Sequence, residues 1–343
     1  MDTEARIYVA GHRGLVGSAI LRRLREQGYG NLITRSHREL DLTDGQAVAG
    51  FFAAERPEHV FLAAARVGGI HANNTYPADF IRENLAIQLN IIHQSYVTGV
   101  QRLLFLGSSC IYPRLCPQPI REEYLLTGPL ETTNSAYAVA KIAGIEMCGA
   151  YNRQHKTCFI PVMPTNLYGP GDSFNLETSH VLPALIRKFH LAALAARNDL
   201  AAILRDEKTF GTIPADIRRA LGYDGKSLSG RPHVLLWGTG TARREFLHVD
   251  DMAAACIHLM RRYESTDLIN IGTGSDVTIA EAAELVRRIT GFSGEVRFDA
   301  SKPDGTPRKV LDVGRLTACG WRAAIGLEEG IRGVYDWYLR QEG

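Results

Sequence analysis

The chain has 343 residues, 45% of them apolar and 22% charged, a globular composition long enough for one large domain or two modest ones. Its net charge of +2 comes from interspersed Lys, Arg, Asp and Glu, without the basic stripe that nucleic-acid binders carry. Six cysteines without Cys-x-x-Cys spacing argue against a zinc site or a disulfide framework, and no signal peptide or apolar run of about 18 residues is present, so a cytoplasmic protein with no metal, membrane or nucleic-acid partner is expected.

Through the first half, short β-rich runs alternate with helical stretches. They run Arg6–Ala10, Val16–Glu26, Asn31–Thr34, Gln46–Glu55, His59–Ala63, Phe80–Thr98, Arg102–Leu106, Ala136–Gln154 and Thr157–Met163. This alternation predicts an α/β fold, a Rossmann-type doubly wound parallel sheet, with a smaller C-terminal α/β substrate lobe. The expected boundaries are 1–170 for a dinucleotide-binding domain and 171–343 for the lobe, with crossover segments at about 234–262 returning to the first domain. The pieces Val234–Trp237, Val249–Arg262 and Ile279–Thr290 interleave with loops in that second half. Between 191 and 222, Leu191, Leu194, Leu200, Ile203 and Leu204, then Ile213, Ile217 and Leu221, predict two short amphipathic helices that read as a surface elaboration or interface element.

Gly11-His12-Arg13-Gly14-Leu15-Val16-Gly17 follows the first strand and opens the first helix. Glycines there permit a tight turn and close approach of backbone to a pyrophosphate, which sits at a helix N-terminus where free N–H groups favour anions. The second strand ends Thr34-Arg35-Ser36-His37-Arg38, with no acid before Glu39 to hold a ribose 2′-hydroxyl. Arg13 and Arg35 suit a 2′-phosphate instead, so NADP(H) is expected, with Asp41 and Leu42 flanking the adenine. In isolation either arginine also reads as a solvated surface charge.

Ser108 closes the fourth strand, and Tyr137 and Lys141 stand four apart on the following helix, hence on one face. An ammonium beside a phenol favours its ionised form, and a positioned tyrosine is a proton donor for carbonyl reduction. Ser108 is the partner expected to orient the carbonyl.

Glycine loop, Ser strand and Tyr-x-x-x-Lys, in this order, resemble the extended short-chain dehydrogenase/reductase family. Ala64-Ala-Arg-Val-Gly-Gly-Ile70, Asn73-Asn-Thr-Tyr-Pro77, Gly107-Ser-Ser-Cys-Ile-Tyr-Pro113, Met163-Pro-Thr-Asn-Leu-Tyr-Gly-Pro170, Arg244-Glu-Phe-Leu-His-Val-Asp-Asp251 and Lys302-Pro-Asp-Gly-Thr-Pro-Arg-Lys309 narrow the resemblance. Over nearly the whole chain they are similar to the GDP-L-fucose synthases, bifunctional GDP-4-keto-6-deoxy-D-mannose 3,5-epimerase/4-reductases. The resemblance implies Cys110 as the base and His180 as the acid of epimerisation, and Tyr137, supported by Ser108 and Lys141, as the acid of NADPH-dependent reduction. It further implies Ala63, Pro164, Asn166, Leu167 and His180 along the cofactor, and Ser109, Asn166, Lys188, Trp237, Arg244 and Asp304 on the nucleotide sugar. A homodimer through the Phe80–Thr98 and Ala136–Gln154 helices is implied by the same analogy.

Two departures stand out. The stretch from about 191 to 230 is longer than the family pattern, and His37, beside Arg38, replaces a familiar arginine. The alternative is another nucleotide-sugar epimerase or reductase of the same family: a 4-epimerase returns its hydride and retains NAD tightly, whereas Arg13 and Arg35 suggest an exchangeable NADP. Related 4,6-dehydratases carry Thr-Asp-Glu where this chain has Ser109-Cys110-Ile111, so elimination of water is disfavoured, and a non-catalytic NADP-binding regulator is not expected to keep this full set of residues.

Overall fold

The structure, a computed structural model, describes residues 1–302 and 304–341, with the side chains of residues 70 and 71 left aside. Pro303, inside the Lys302–Lys309 motif, and residues 342–343, at the end of the predicted lobe, lie outside the described residues. The chain forms two compact units, one from Met1–Leu167, Phe246–Gly274 and Val310–Ala324, the other from Tyr168–Glu245, Ser275–Lys309 and Ile325–Gly343.

The first unit begins β1 (Ile7–Ala10), α1 (Leu15–Glu26), β2 (Leu32–Ile33), α2 (Gly45–Glu55), β3 (His59–Leu62), α3 (Ile70–Thr75), α4 (Pro77–Val97), β4 (Arg102–Leu106), α5 (Ser135–His155) and β5 (Phe159–Pro164). Next comes β6 (Asn166–Tyr168), whose last residue is counted with the second unit and which pairs with β9 (Phe246–His248); α9 (Val249–Arg262), β10 (Ile269–Ile271) and α11 (Gly314–Ala318) complete the first unit. Six strands form one parallel sheet in the order β10-β5-β4-β3-β1-β2, the doubly wound Rossmann-like arrangement expected from the sequence.

Side chains alternate between the faces of each strand, so the buried runs split into two cores. Ile7, Val9, Leu104 and Val162 pack with α1 and α9, through Ile20, Leu24, Met252 and Met260. Tyr8, Val60, Leu103 and Phe159 pack with α2, α4 and α5, through Phe52, Ile91, Ile145 and Cys148. Strand order reverses direction between β1 and β3, and their carboxyl ends open the crevice in which such sheets bind ligands.

The second unit contains α6 (Val181–Ala196), α7 (Leu200–Phe210), α8 (Ala215–Leu221), β7 (His233–Trp237), β8 (Arg243–Arg244), β11 (Val277–Thr278), α10 (Ile279–Thr290), β12 (Glu295–Asp299), β13 (Arg308–Lys309) and α12 (Leu327–Gln341). Strand β12 runs parallel to β7, while β8 lies between β11 and β13. The apolar stretch at 191–222 divides differently from the two helices read in the sequence. Leu191 and Leu194 belong to the end of α6, and a new helix starts because Asn198 takes a left-handed φ of 57° and the Asp199 carboxylate caps Ala202 N at 3.0 Å. No described helix is long and apolar enough to cross a membrane.

Candidate active site

The glycine loop lies at the carboxyl end of β1. Gly11 has φ +83°, and a methyl on it would come within 2.7 Å of Ala64 N, so both conformation and the neighbouring strand end demand glycine. Gly17 faces back onto the loop, where a methyl would stand 2.1 Å from the Gly11 carbonyl oxygen. Gly14 is different: its φ is −79°, and a methyl would meet nothing closer than 3.5 Å. Gly14 caps α1 without a side-chain bond, and no acid stands in the first turn, so the first N–H groups of the helix are open to an anion. The His12 Nδ1 beside them is buried without a hydrogen-bond partner among the described residues. Leu15 and Val16 begin the helix, and Ala63 N donates to Ala10 O at 3.0 Å, aligning the end of β3 with the loop. The cradle fits a dinucleotide pyrophosphate.

The two arginines singled out by sequence, Arg13 in the glycine loop and Arg35 just past β2, have different surroundings. Arg13 is exposed and makes no ion pair among the described residues. Arg35 is ion-paired with Glu55, donates to Thr34 O at 2.8 Å and lies over the Phe51 ring at 5.5 Å. The Glu39 carboxylate accepts from Ser36 N and Oγ at 2.7 and 2.6 Å, which holds it below the usual carboxylate range. Asp41 is bonded to Thr43 N at 2.9 Å, and Asn90 Nδ2 donates to Leu42 O at 2.9 Å, fixing the segment that the adenine reading uses.

Strand β4 ends at Leu106, and Gly107 follows over Met163, whose Cε would lie 2.0 Å from a methyl at position 107. Ser108 is extended and its Oγ accepts from Cys110 N at 3.4 Å, starting a single turn from Ser109 to Ile111 in which Ser109 is buried. On α5, Lys141 is buried and its Nζ donates to Leu106 O at 2.7 Å. The same ammonium stands 5.8 Å from the Tyr137 ring centroid and 4.9 Å from that of Phe105. Ser108, Cys110, Tyr137 and Lys141 therefore come together at the end of β4.

Electrostatics here departs from the sequence expectation. Burial is the largest influence on Tyr137 and raises its phenol, the Cys110 thiolate raises it further, and the bond to Ser108 opposes them. Burial lowers Lys141 to about 8, with the Cys110 charge acting the other way. Tyr137 is thus held protonated, the form an acid needs, and the ammonium does not draw it into the ionised state that the helix spacing alone suggests.

The Pro164–Leu167 segment runs from β5 into β6, with Thr165 N donating to Ile271 O at 3.0 Å. His180, in the second unit, is the N-cap residue of α6, and desolvation followed by the Lys309 ammonium lowers its imidazole from the ordinary value. Further along α6, Lys188 Nζ donates to Leu235 O at 3.1 Å; burial lowers its ammonium and Asp216 on α8 supports it. Trp237, a residue that reads as core in isolation, is 60% exposed at the end of β7, with Lys302 Nζ 5.5 Å from its ring centroid. The Asp304 carboxylate binds Thr239 N at 2.7 Å and Oγ1 at 2.8 Å, and Arg244 donates to Thr306 O at 2.5 Å, so both hold the loops flanking Trp237. Sequence reasoning passed over Asp172, whose carboxyl is pushed up to about 7 by burial, and the fully buried Arg187–Asp206 pair, N to O 2.8 Å. No spacing pattern marks either of them.

A sequence profile described as NAD dependent epimerase/dehydratase family matches residues 7–203 and 204–272. The chain belongs to that family. It is 52% identical to GDP-L-fucose synthase 1 of Arabidopsis thaliana over 339 residues, 99% of this chain and 94% of the relative. Its identity to GDP-L-fucose synthase of Escherichia coli (strain K12) is 49%, covering 99% and 98% of the two chains. Among solved structures, a GDP-mannoheptose C4 reductase from Campylobacter jejuni with NADP bound has a TM-score of 0.86 at 42% identity, covering 99% of each chain.

Proposed function

We propose that this chain converts GDP-4-keto-6-deoxy-D-mannose to GDP-L-fucose with NADPH, by 3,5-epimerisation followed by reduction of the 4-ketone. The observation that carries the reading is the placement of the Cys110 thiol within the electrostatic reach of both Tyr137 and Lys141 at the end of β4. Simple ketone reduction needs the tyrosine and lysine; it has no use for a thiol.

The 4-keto group acidifies the protons at C3 and C5. Cys110 is assigned to remove each of them as thiolate, and His180 to return a proton on the opposite face. Ser108 orients the C4 oxygen by hydrogen bonding, and the protonated Tyr137 delivers a proton to it as negative charge develops. Lys141, fixed on Leu106 O, stabilises that charge. NADPH, when bound, supplies the hydride to C4. Gly11, Gly14, Gly17 and the first turn of α1 would hold its pyrophosphate, Arg13 its 2′-phosphate, and Ala63, Pro164, Asn166 and Leu167 its nicotinamide side. Lys188, Arg244, Asp304 and the exposed Trp237 take the GDP end of the substrate.

In solution we place two copies together in the cytoplasm, joined across α4 and α5, where Leu89, Val97 and Val139 are exposed. Light scattering tests the pairing. Product analysis with NADPH and with NADH tests the reaction. GDP-L-fucose formed faster with NADPH is the expected result; no nicotinamide oxidation, or a reduced product that keeps its original configuration at C3 and C5, would overturn it.

A further inference from the structure

Strand β10 is the last of the sheet among the described residues, and the outer backbone edge of Asn270 faces away from β5. Its N–H donates instead to Glu122 Oε1 at 2.9 Å, and Arg315 Nε stands 3.6 Å from the other oxygen of that carboxylate. The Asn270 side chain uses every donor it has. Oδ1 accepts from the Tyr112 phenol at 2.6 Å, and Nδ2 donates to Ile120 O at 3.0 Å and to Asp312 O at 3.2 Å. Both Tyr112 and Asn270 are buried, and an amide satisfied this completely has a single orientation.

On its inner side Asn270 lies opposite Met163 in the β5–β10 ladder. Met163 fills the space that a side chain at Gly107 would need. The turn that carries Cys110 is therefore seated at both ends on neighbouring positions of the sheet, Gly107 on Met163 and Tyr112 on Asn270. Ring volume at position 112 does not require the phenol oxygen; phenylalanine would fill the same core.

We propose that Asn270, acting through Tyr112, is a positioning residue that fixes the Cys110 thiol for proton transfer at C3 and C5. This rests on the epimerase–reductase reading above. Tyr137 and Lys141 are held by other means, namely α5 and the bond to Leu106 O. Ser108 stands at the Met163 end of the turn and Cys110 nearer the Tyr112 end, so loss of the Tyr112–Asn270 bond moves the thiol and leaves Ser108, Tyr137 and Lys141 in place. A displacement of about 1 Å at a reacting group costs up to roughly a hundredfold in rate.

The test is Tyr112→Phe in the full chain, read in two ways. Wash-in of solvent deuterium into GDP-4-keto-6-deoxy-D-mannose with NADP present reports the thiol step, because no hydride donor is there. First-turnover formation of NADPH from GDP-L-fucose and NADP reports hydride transfer without epimerisation. The expected result is deuterium wash-in slowed by about tenfold or more, with hydride transfer within about twofold of the parent. Asn270→Ala, which also gives up the bonds to Ile120 O and Asp312 O, should show the same split, and the double variant should be no worse than the worse single, since each single variant already removes the Tyr112–Asn270 bond. Equal loss in both assays, or wash-in at the parent rate, would overturn the positioning role. Absence of wash-in in the unmodified protein would overturn the epimerase reading itself.

Discussion

Lys141 Nζ donates to the carbonyl oxygen of Leu106 at 2.7 Å, tying the ammonium on α5 to the last residue of β4. With burial lowering it to about 8, this lysine loses its charge as pH rises through that value, whereas Tyr137 remains protonated. The rate of 4-keto reduction is therefore expected to fall above about pH 8, and Lys141→Met to lose that limb along with roughly 10²–10⁴-fold in rate. The stability sign is opposite. Between about 8 and the ordinary lysine value of 10.5, the unfolded chain holds a proton here that the folded chain has released, so unfolding free energy rises with pH. Relative to Lys141→Met, the parent should gain about 2 kcal/mol between about pH 7 and 9.5. A pH-independent difference in denaturant unfolding would contradict it.

Dividing the chemistry between Cys110 and Tyr137 makes two variants complementary. Cys110→Ser should lose deuterium exchange at C3 and C5 by roughly 10²-fold or more, because a hydroxyl is a far weaker base at neutral pH. Tyr137→Phe should keep that exchange and lose hydride transfer by a similar factor. Mass spectrometry of the recovered sugar and nicotinamide absorbance measure the two steps, and normal epimerisation by Cys110→Ser would remove the thiol from the mechanism.

The glycine loop separates fold from ligand. A methyl at position 17 would meet the Gly11 carbonyl, so Gly17→Ala should destabilise the first unit by about 1–3 kcal/mol. Gly14 has an ordinary φ and space for a methyl, so Gly14→Ala should melt like the parent. Its first-turn N–H groups would then be less approachable, and NADPH affinity should fall by about tenfold or more. Titration of cofactor fluorescence beside a thermal melt distinguishes the two; unchanged affinity in Gly14→Ala would show that the pyrophosphate lies elsewhere.

Arg13 and Arg35 read alike in sequence and differ in structure. Arg35 already has Glu55 and the Phe51 face, whereas Arg13 has no ion pair among the described residues. Arg13→Ala should therefore raise KM for NADPH by about tenfold and leave that for NADH nearly unchanged. Arg35→Ala should have the smaller effect on cofactor choice. Equal effects of both variants would place both guanidinium groups on the 2′-phosphate.

What could be read in the sequence was whatever depends on short spacing. The strand–helix alternation, the Gly11–Gly17 loop and the Tyr137–Lys141 pair are local patterns, and the sheet assembles around them. Local spacing carries no information on distant neighbours. It did not reveal that burial, rather than Lys141, dominates the Tyr137 phenol, or that Glu55 takes Arg35 from 20 residues away. Asn270 sits in a three-residue edge strand and finds Tyr112 158 positions back in the chain. The break between α6 and α7 was missed because the apolar periodicity continues across Asn198-Asp199, although the Asp cap is the local sign of a new helix.

The stretch at about 191–230 is secured by charge. Arg187 on α6 and Asp206 on α7 are both fully buried, with Nη2 and Oδ1 2.8 Å apart. Arg187 also donates to Phe174 O at 3.1 Å and Phe210 O at 3.0 Å, and Asp206 accepts from the Tyr338 phenol. Removing one partner leaves an unpaired charge in the interior, so Asp206→Ala should cost about 3–5 kcal/mol. Replacing both, as Arg187→Met with Asp206→Leu, should recover much of that loss, since an apolar pair of similar volume carries no desolvation penalty. Because Arg187 precedes Lys188 on the same helix, the single variant should also raise KM for the nucleotide sugar, and the double variant should restore it. Denaturant unfolding gives the first comparison and steady-state kinetics the second. A double variant no more stable than Asp206→Ala would mean that the bonds to the Phe174 and Phe210 carbonyls, rather than charge pairing, hold α7 on α6.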